Sequence, residues 1–330
     1  MTSKPLEEGI YLKSYLGLFS DMLSRPDITD IYVNAPGELW VETLGGTVER
    51  HLRRELDEVA LERLARQIAA ISNQGISREH PILSATLPNG ARVQIVAPPA
   101  TRGPIAIAIR KHVSPDLTLE DYVVSGAFSE TSRRTDLNDT NADLQLAEIL
   151  ASGDIRATLT YAVRARKNIL VSGGTATGKT TFLNALIREI PAEERLIYIE
   201  DTPELYMLHG NAIGLISARS ALGETHVTAN DLVSAALRLR PDRIILGELR
   251  GDEAYAFLRA INTGHPGSMT TVHADSAESA VEQIVLLALQ SGNRLGRDDV
   301  RSYVSRTIDI FVQLSRVGGR RAVSEIVLGR

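Results

Sequence analysis

"LVSGGTATGKTT", Leu170 to Thr181, is an apolar run that breaks into glycines and closes on a lysine and two hydroxyls. Gly173, Gly178, Lys179 and Thr180 satisfy the spacing G-x-x-x-x-G-K-[ST] without a mismatch. The flanks agree: "NILVS" has the short apolar form of a buried strand, and "TTFLNALIRE" has the spacing of a helix. Glycines in such a turn let backbone N–H groups point inward at a phosphate, and the helix N-terminus adds the positive end of its dipole. A nucleotide cradle is therefore expected from Gly173, Gly174, Thr175, Ala176, Thr177, Gly178, Lys179, Thr180 and Thr181. Lys179 is expected to reach the β and γ oxygens, and the Thr180 hydroxyl to bind Mg²⁺. The bland alternative, a Gly-rich turn that happens to hold a lysine, does not account for the strand and helix on either side.

Outward from this loop the chain alternates strand and helix. "NILVS", "RLIYIE" and "RIILGEL" read as strands of a parallel sheet covered on both faces, with helices from Thr180 to Glu189 and in "TANDLVSAALRLR" between them. Thr228 and Asp231 have the spacing of a capping box. This predicts an α/β fold whose ligand site lies at the carboxyl ends of the strands. The tail, "IDIFVQLSRVGGRRAVSEIVL", reads as two strands joined by a Gly-Gly turn.

The earlier part reads as α+β. "DIYVNAPGELWVET" is two strands about a Pro-Gly turn, and "DEVALERLARQIAAISNQG" is a helix ending at Gly75. "ARVQIVAPP" and "PIAIAIRKH" alternate with period two, so Arg92 and Arg110 each project away from the isoleucine-rich face of their strand. A polar stretch without apolar period, Gly126 to Gln145, marks a linker. The expected division is an N-terminal α+β domain over 1–125, a linker over 126–140 and an α/β domain over 141–330.

Composition bounds the function. With 330 residues the chain can bury more than one core. Its 36 basic and 41 acidic side chains leave a net charge of -5, which argues against a surface built to coat nucleic acid. Cysteine is absent, which excludes disulfides, thiolate zinc sites and a cysteine nucleophile. The N-terminus carries acids where a signal peptide needs an apolar core, and "IVLLALQ" is too short to cross a bilayer. A soluble, intracellular protein that reaches membranes through partners is the expectation.

Hydrolysis needs acids opposite the loop. "RPDRIILGEL" places Glu248 just past a buried strand, where a carboxylate can orient or deprotonate water, or hold Mg²⁺ through its waters. "LIYIEDTPEL" places Glu200 and Asp201 at the end of another. Solvated acids at strand ends are common in α/β proteins, but here acids follow two apolar strands in the same way. In "TGHPGSMTTVHADS", His265 and His273 flank a predicted strand; without Cys or an H-E-x-x-H pattern, zinc is not expected. A histidine there can hydrogen-bond a γ-phosphate, or be structural.

Taken in order, "GGTATGKTT", "IEDTPEL", "RPDRIILGELRGDEA" and "TGHPGSMTTVHADS" resemble the Walker A, Asp box, Walker B and His box of the secretion superfamily of hexameric P-loop ATPases. "IYVNAPGELWVE" and "NGARVQIVAPPA" resemble the N-terminal domain of its traffic ATPases of type IV secretion and conjugation systems. The resemblance implies a RecA-like C-terminal domain, a smaller α+β N-terminal domain, and a homohexamer that hydrolyses ATP with Mg²⁺ to power substrate transfer or pilus assembly. It implies a peripheral location at the cytoplasmic face of the inner membrane, with secretion-channel components and a coupling ATPase as partners. Lys179, Glu248, Glu200 and His273 then become catalytic, Thr180, Glu200 and Glu248 hold Mg²⁺, and Arg92 and Arg110 bring positive charge from the N-terminal domain to the nucleotide. The choice of general base between Glu200 and Glu248 stays open, as does the pairing of domains around the ring. A type II secretion or type IV pilus motor is the neighbouring alternative, and a nucleotide-gated scaffold with little hydrolysis is the alternative of another class. Ala176 stands where this family usually carries Gly, a change that matters if the backbone there needs a positive φ.

Overall fold

The computed structural model describes residues 8–111, 118–124, 140–218, 224–292, 294–318 and 320–329. Alternating apolar residues in the first part build an antiparallel sheet from β1 (Ile28–Val33), β2 (Glu38–Thr43), β3 (Val48–Leu52), β4 (Ile82–Thr86), β5 (Arg92–Val96) and β6 (Ala106–Arg110). Its order is β3-β2-β1-β6-β5-β4. The helix Glu58–Ile71 is started by Asp57, whose side chain accepts from the Ala60 N–H at 2.7 Å. It buries Leu61, Leu64 and Ile68 against Val93, Ile95, Ile107 and Ile109 of the sheet. It stops short of Gly75, because Asn73 takes the left-handed turn at φ 52°, a conformation that asparagine tolerates.

The second sheet holds β7 (Ile169–Gly173), β8 (Leu196–Glu200), β9 (Ala212–Ile216), β10 (Arg243–Leu246), β11 (Met269–Val272), β12 (Ile310–Val317) and β13 (Arg320–Leu328). The order is β13-β12-β7-β11-β10-β8-β9, parallel throughout except for the terminal β12–β13 hairpin. Every residue of β7, β8, β10 and β11 is buried, the polar Ser172, Glu200, Arg243, Thr270 and Thr271 along with their apolar neighbours. Thr228 and Asp231 form the predicted capping box. Of the linker expected at 126–140, only Thr140 is described, and it caps the helix Asn141–Ala151. Among the described residues, no helix is long and apolar enough to cross a membrane.

The two sheets share a core. Tyr32, Val96, Ala100, Ala106 and Ala108 pack with Ile197, Leu215 and Leu232, so β6 is covered on both faces rather than presenting one to water. The chain between β5 and β6 runs along β9: Thr101 bridges Leu215, the Arg102 N–H donates to Gly214 O at 2.8 Å, and Ile216 N–H donates to Ala100 O at 2.9 Å. Arg195 crosses the seam, its guanidinium 4.0 Å from the Tyr32 ring centre and donating to Asn34 Oδ1 at 2.8 Å. Burial pulls its pKa down to about 10, which still leaves it charged at neutral pH. Glu42 accepts from Tyr32 Oη and from Arg240, each at 2.7 Å, and completes the polar rim.

Under the second sheet, Arg243 is fully buried and forks onto Glu194, with Nε at 2.7 Å and Nη2 at 2.6 Å. Burial pushes the Glu194 carboxyl up, but its hydrogen bonds from Arg243 and Arg166 outweigh that and hold it below the usual carboxylate range. Glu194→Gln leaves a buried guanidinium without its counter-charge and is expected to cost about 3–5 kcal/mol, read as a lower urea midpoint at neutral pH. The folded pKa lies below the unfolded one, so this stabilisation is complete above the ordinary carboxylate value and is lost as pH falls through the folded value. The gap between wild type and variant should therefore narrow as pH falls below the ordinary carboxylate value and through the lower folded one; a gap independent of pH would contradict this account.

Candidate active site

Register brings the chemistry to one end of the sheet. Leu246 of β10 lies beside Ile199 of β8 and Thr270 of β11, and Thr270 lies beside Leu170 of β7. Gly173, Glu200, Glu248 and His273 all fall within three residues beyond that level. Glu200, Glu248 and His273 line a cavity of about 330 Å³ together with the loop residues Ala176, Gly178, Lys179, Thr180 and Thr181.

The loop is shaped as the glycine spacing requires. Gly178 stands at φ 92° as the N-cap of the helix Lys179–Ile187. A Cβ on Gly173 would lie 2.5 Å from Thr177 Oγ1 and 3.0 Å from Leu314 O, so only glycine fits where the loop leaves β7. Thr177 Oγ1 donates to Gly174 O at 2.9 Å and closes the turn.

Lys179, Glu248 and His273 meet in this cavity. Lys179 Nζ donates to Gly173 O at 3.1 Å, lies 3.2 Å from His273 Nε2, and sits 3.6 Å from Glu248 Oε1. Burial draws the lysine below its usual pKa, and the Glu248 carboxylate acts in the opposite sense. His273 Nε2 is 3.3 Å from Glu248 Oε1. The other oxygen, Oε2, is held by Arg250 through Nε at 2.6 Å, and Arg250 Nη1 reaches Asp201 at 2.7 Å. Glu248 Oε1 itself is buried and accepts no hydrogen bond among the described residues.

Glu200 is held differently. It is 5% exposed; Oε1 accepts from the N–H groups of Glu204 and Leu205 at 2.8 and 2.9 Å, and Oε2 is ion-paired with Arg102. Arg102 comes from the segment between β5 and β6, lies against Gly214 and also donates to Leu205 O at 2.8 Å. Both oxygens of Glu200 are thus engaged by protein groups. Thr180 and Glu248 line the cavity with oxygen groups of the kind Mg²⁺ prefers. No cluster of three or more His, Cys, Asp or Glu that could hold a metal occurs among the described residues, so a metal here would share its shell with phosphate and water.

Arg92 and Arg110 are not brought to this cavity. They face each other across β5 and β6 and line a separate cavity of about 430 Å³ with Gln94, Leu237 and Arg238, and Arg110 Nε donates to Asp30 at 2.8 Å. His265 lies elsewhere too: its Nδ1 is 2.9 Å from Pro241 O, and burial holds its pKa below the usual histidine value. Sequence reasoning missed Arg102, Arg250 and Arg321, all of which reach the acids or the loop. Arg250 stands two residues past Glu248, inside the stretch "RPDRIILGELRGDEA"; the other two carry no local signal.

The profile of a family described as "Type II/IV secretion system protein" matches residues 18–316. The type IV secretion system protein VirB11 of Bartonella henselae is 41% identical over 322 residues, covering 93% of this chain and 90% of that protein. VirB11 of Brucella suis is 38% identical over 313 residues, covering 92% and 86%, and PtlH of Bordetella pertussis is 38% identical over 315 residues, covering 92% and 90%. The crystal structure of the VirB11 ATPase of the Brucella suis type IV secretion system, in complex with sulphate, superposes with a TM-score of 0.90 at 36% identity, covering 96% of this chain and 97% of that one.

Ala176 does sit at positive φ, 61°. A left-handed alanine costs about 1–2 kcal/mol, more than the roughly 0.4–1 kcal/mol that glycine adds to the unfolded chain's entropy. Ala176→Gly is expected to raise stability by a few tenths to about 1 kcal/mol and to raise Tm accordingly. An unchanged or lower Tm would show that the loop relaxes around alanine without strain.

Proposed function

This chain belongs to the type II/IV secretion system protein family, and from that premise we propose that it hydrolyses ATP as a six-membered motor powering substrate transfer or pilus assembly in a type IV secretion system. The observation that carries this reading is the meeting of Lys179, Glu248 and His273 beside a phosphate loop, with Glu248 Oε1 buried and accepting no hydrogen bond.

In this reading the loop N–H groups and Lys179 hold the β- and γ-phosphates, and the helix N-terminus adds its positive end. Glu248 Oε1 takes the proton of the attacking water as the water oxygen bonds to the γ-phosphorus and ADP leaves with the electrons of the broken P–O bond. Arg250 fixes the opposite oxygen, so the carboxylate presents one lone pair in a set direction. His273 contacts the γ-phosphate. Thr180, with Glu248 through water, would hold Mg²⁺, whose charge would offset that of the phosphates. Glu200 acts as a positioning residue, since its carboxylate ties the segment Glu204–Leu205 to Arg102.

Arg92 and Arg110 fit their expected role only with a different placement of the N-terminal sheet, by closure within the chain or by supply from a neighbouring copy in the ring. That arrangement makes hydrolysis depend on movement between subunits or domains. The protein then works at the cytoplasmic face of the inner membrane, docked on components of the secretion channel.

Two variants test the assignment together. Lys179→Ala should lose both nucleotide binding and turnover. Glu248→Gln should keep ATP binding while turnover falls by about 10²–10⁴-fold, the usual contribution of a positioned base. Normal hydrolysis in either overturns the reading. Mass measured with and without a non-hydrolysable ATP analogue should reveal a hexamer; a monomer under both conditions at working concentration would remove the ring.

A further inference from the structure

The terminal hairpin carries a guanidinium over the phosphate loop. β13 runs antiparallel to β12, with Arg321 directly opposite Arg316 and Arg320 opposite Val317. A Cβ built on Gly178 would lie 3.1 Å from Arg321 Cδ, 3.4 Å from Nη1 and 3.6 Å from Nε, so the side chain lies across that turn. Arg321 also lines the cavity formed by Lys179, Thr180 and Thr181. It is exposed, and among the described residues no carboxylate pairs with it.

Like charges directly opposite in an antiparallel pair repel, so Arg316 and Arg321 oppose each other with no acid between them. A guanidinium with free donors beside a phosphate cradle is a fork shaped for phosphate oxygens, and an anion there offsets the repulsion. Its contact is Gly178, the turn that bears on phosphates present in both substrate and product. The general base, by contrast, is already held by Arg250.

We propose that Arg321 is a nucleotide-binding residue that contacts, from the C-terminal hairpin, the phosphates common to ATP and ADP. This rests on the nucleotide reading of the loop. A contact made equally in substrate, transition state and product changes affinity and leaves the chemical step alone. The hairpin then senses whether any nucleotide is bound, not which one.

The test is calorimetric titration of ADP and of a non-hydrolysable ATP analogue into the full chain, with turnover measured at saturating ATP. Arg321→Ala should weaken both ligands by about tenfold and leave kcat within about twofold. Arg321→Lys, which keeps the charge and loses the fork, should recover part of the affinity. Arg316→Ala, which removes only the facing charge, should weaken both ligands much less than Arg321→Ala does. The proposal is overturned if Arg321→Ala binds ADP as wild type does, if kcat falls while affinity holds, or if Arg316→Ala weakens binding equally. Lys179→Ala separates the two levels: if it still binds ADP normally, the nucleotide reading itself fails, whereas lost binding there with intact binding in Arg321→Ala refutes only the role of Arg321.

Discussion

A strand buried on both faces can satisfy its backbone N–H and C=O groups only along the sheet, and that requirement organises this protein. β7, β8, β10 and β11 are held in one register by their ladders, so their carboxyl ends emerge at a common level. The residues just past each strand are therefore delivered to one place, however far apart they stand in the chain. Glu200 and Glu248 are distant in sequence and become neighbours because Ile199 and Leu246 are paired. The glycine that ends β7 is needed for the same reason: the packed hairpin beside it leaves no room for a side chain.

Two carboxylates of the same chemical type receive opposite treatment from this frame. Glu200 is enclosed, bonded by two backbone N–H groups and paired with a cation from the other sheet. Glu248 is fixed at one oxygen by Arg250, while the other, buried beside Lys179 and His273, accepts no hydrogen bond among the described residues. The difference arises from what lies above each strand end. β8 leads into a tight turn whose N–H groups point back at Glu200, while β10 leads to Arg250, which grips from the side. A carboxylate held by two backbone N–H groups and a guanidinium is stabilised in its charged form and is suited to holding a loop in place rather than to accepting a proton.

Much of this was legible in the residues. The phosphate loop, the strands that flank it, the Thr228 capping box and the terminal hairpin each carry a local signal, and each takes the expected form. Periodicity was less informative where the surroundings decide. On β6 it separates Ile107 and Ile109 from Ala108 and Arg110, but it cannot say that the alanine face is also covered, by Tyr32 and the core of the second sheet. Arg92 and Arg110, given a nucleotide role by the family resemblance and set off the isoleucine face by periodicity, line a cavity with Leu237 and Arg238 rather than the phosphate loop. Arg102 and Arg321 had no pattern around them, because their importance comes from contacts made across 98 and 143 residues of chain, to Glu200 and Gly178. β3 escaped notice since it is an edge strand, "VERHL", with alternating exposed and half-buried positions and no fully buried residue.

The three residues Ala100 to Arg102 that run along β9 have a consequence for how the molecule can be taken apart. β9, "AIGLI", is a short, almost wholly apolar strand at the rim of the parallel sheet, and the N-terminal half supplies its only cover on that side among the described residues. Such a rim, laid bare, is a template for strands of other molecules. The second sheet made by itself would thus present a self-pairing edge, which the segment Ala100 to Arg102 covers here.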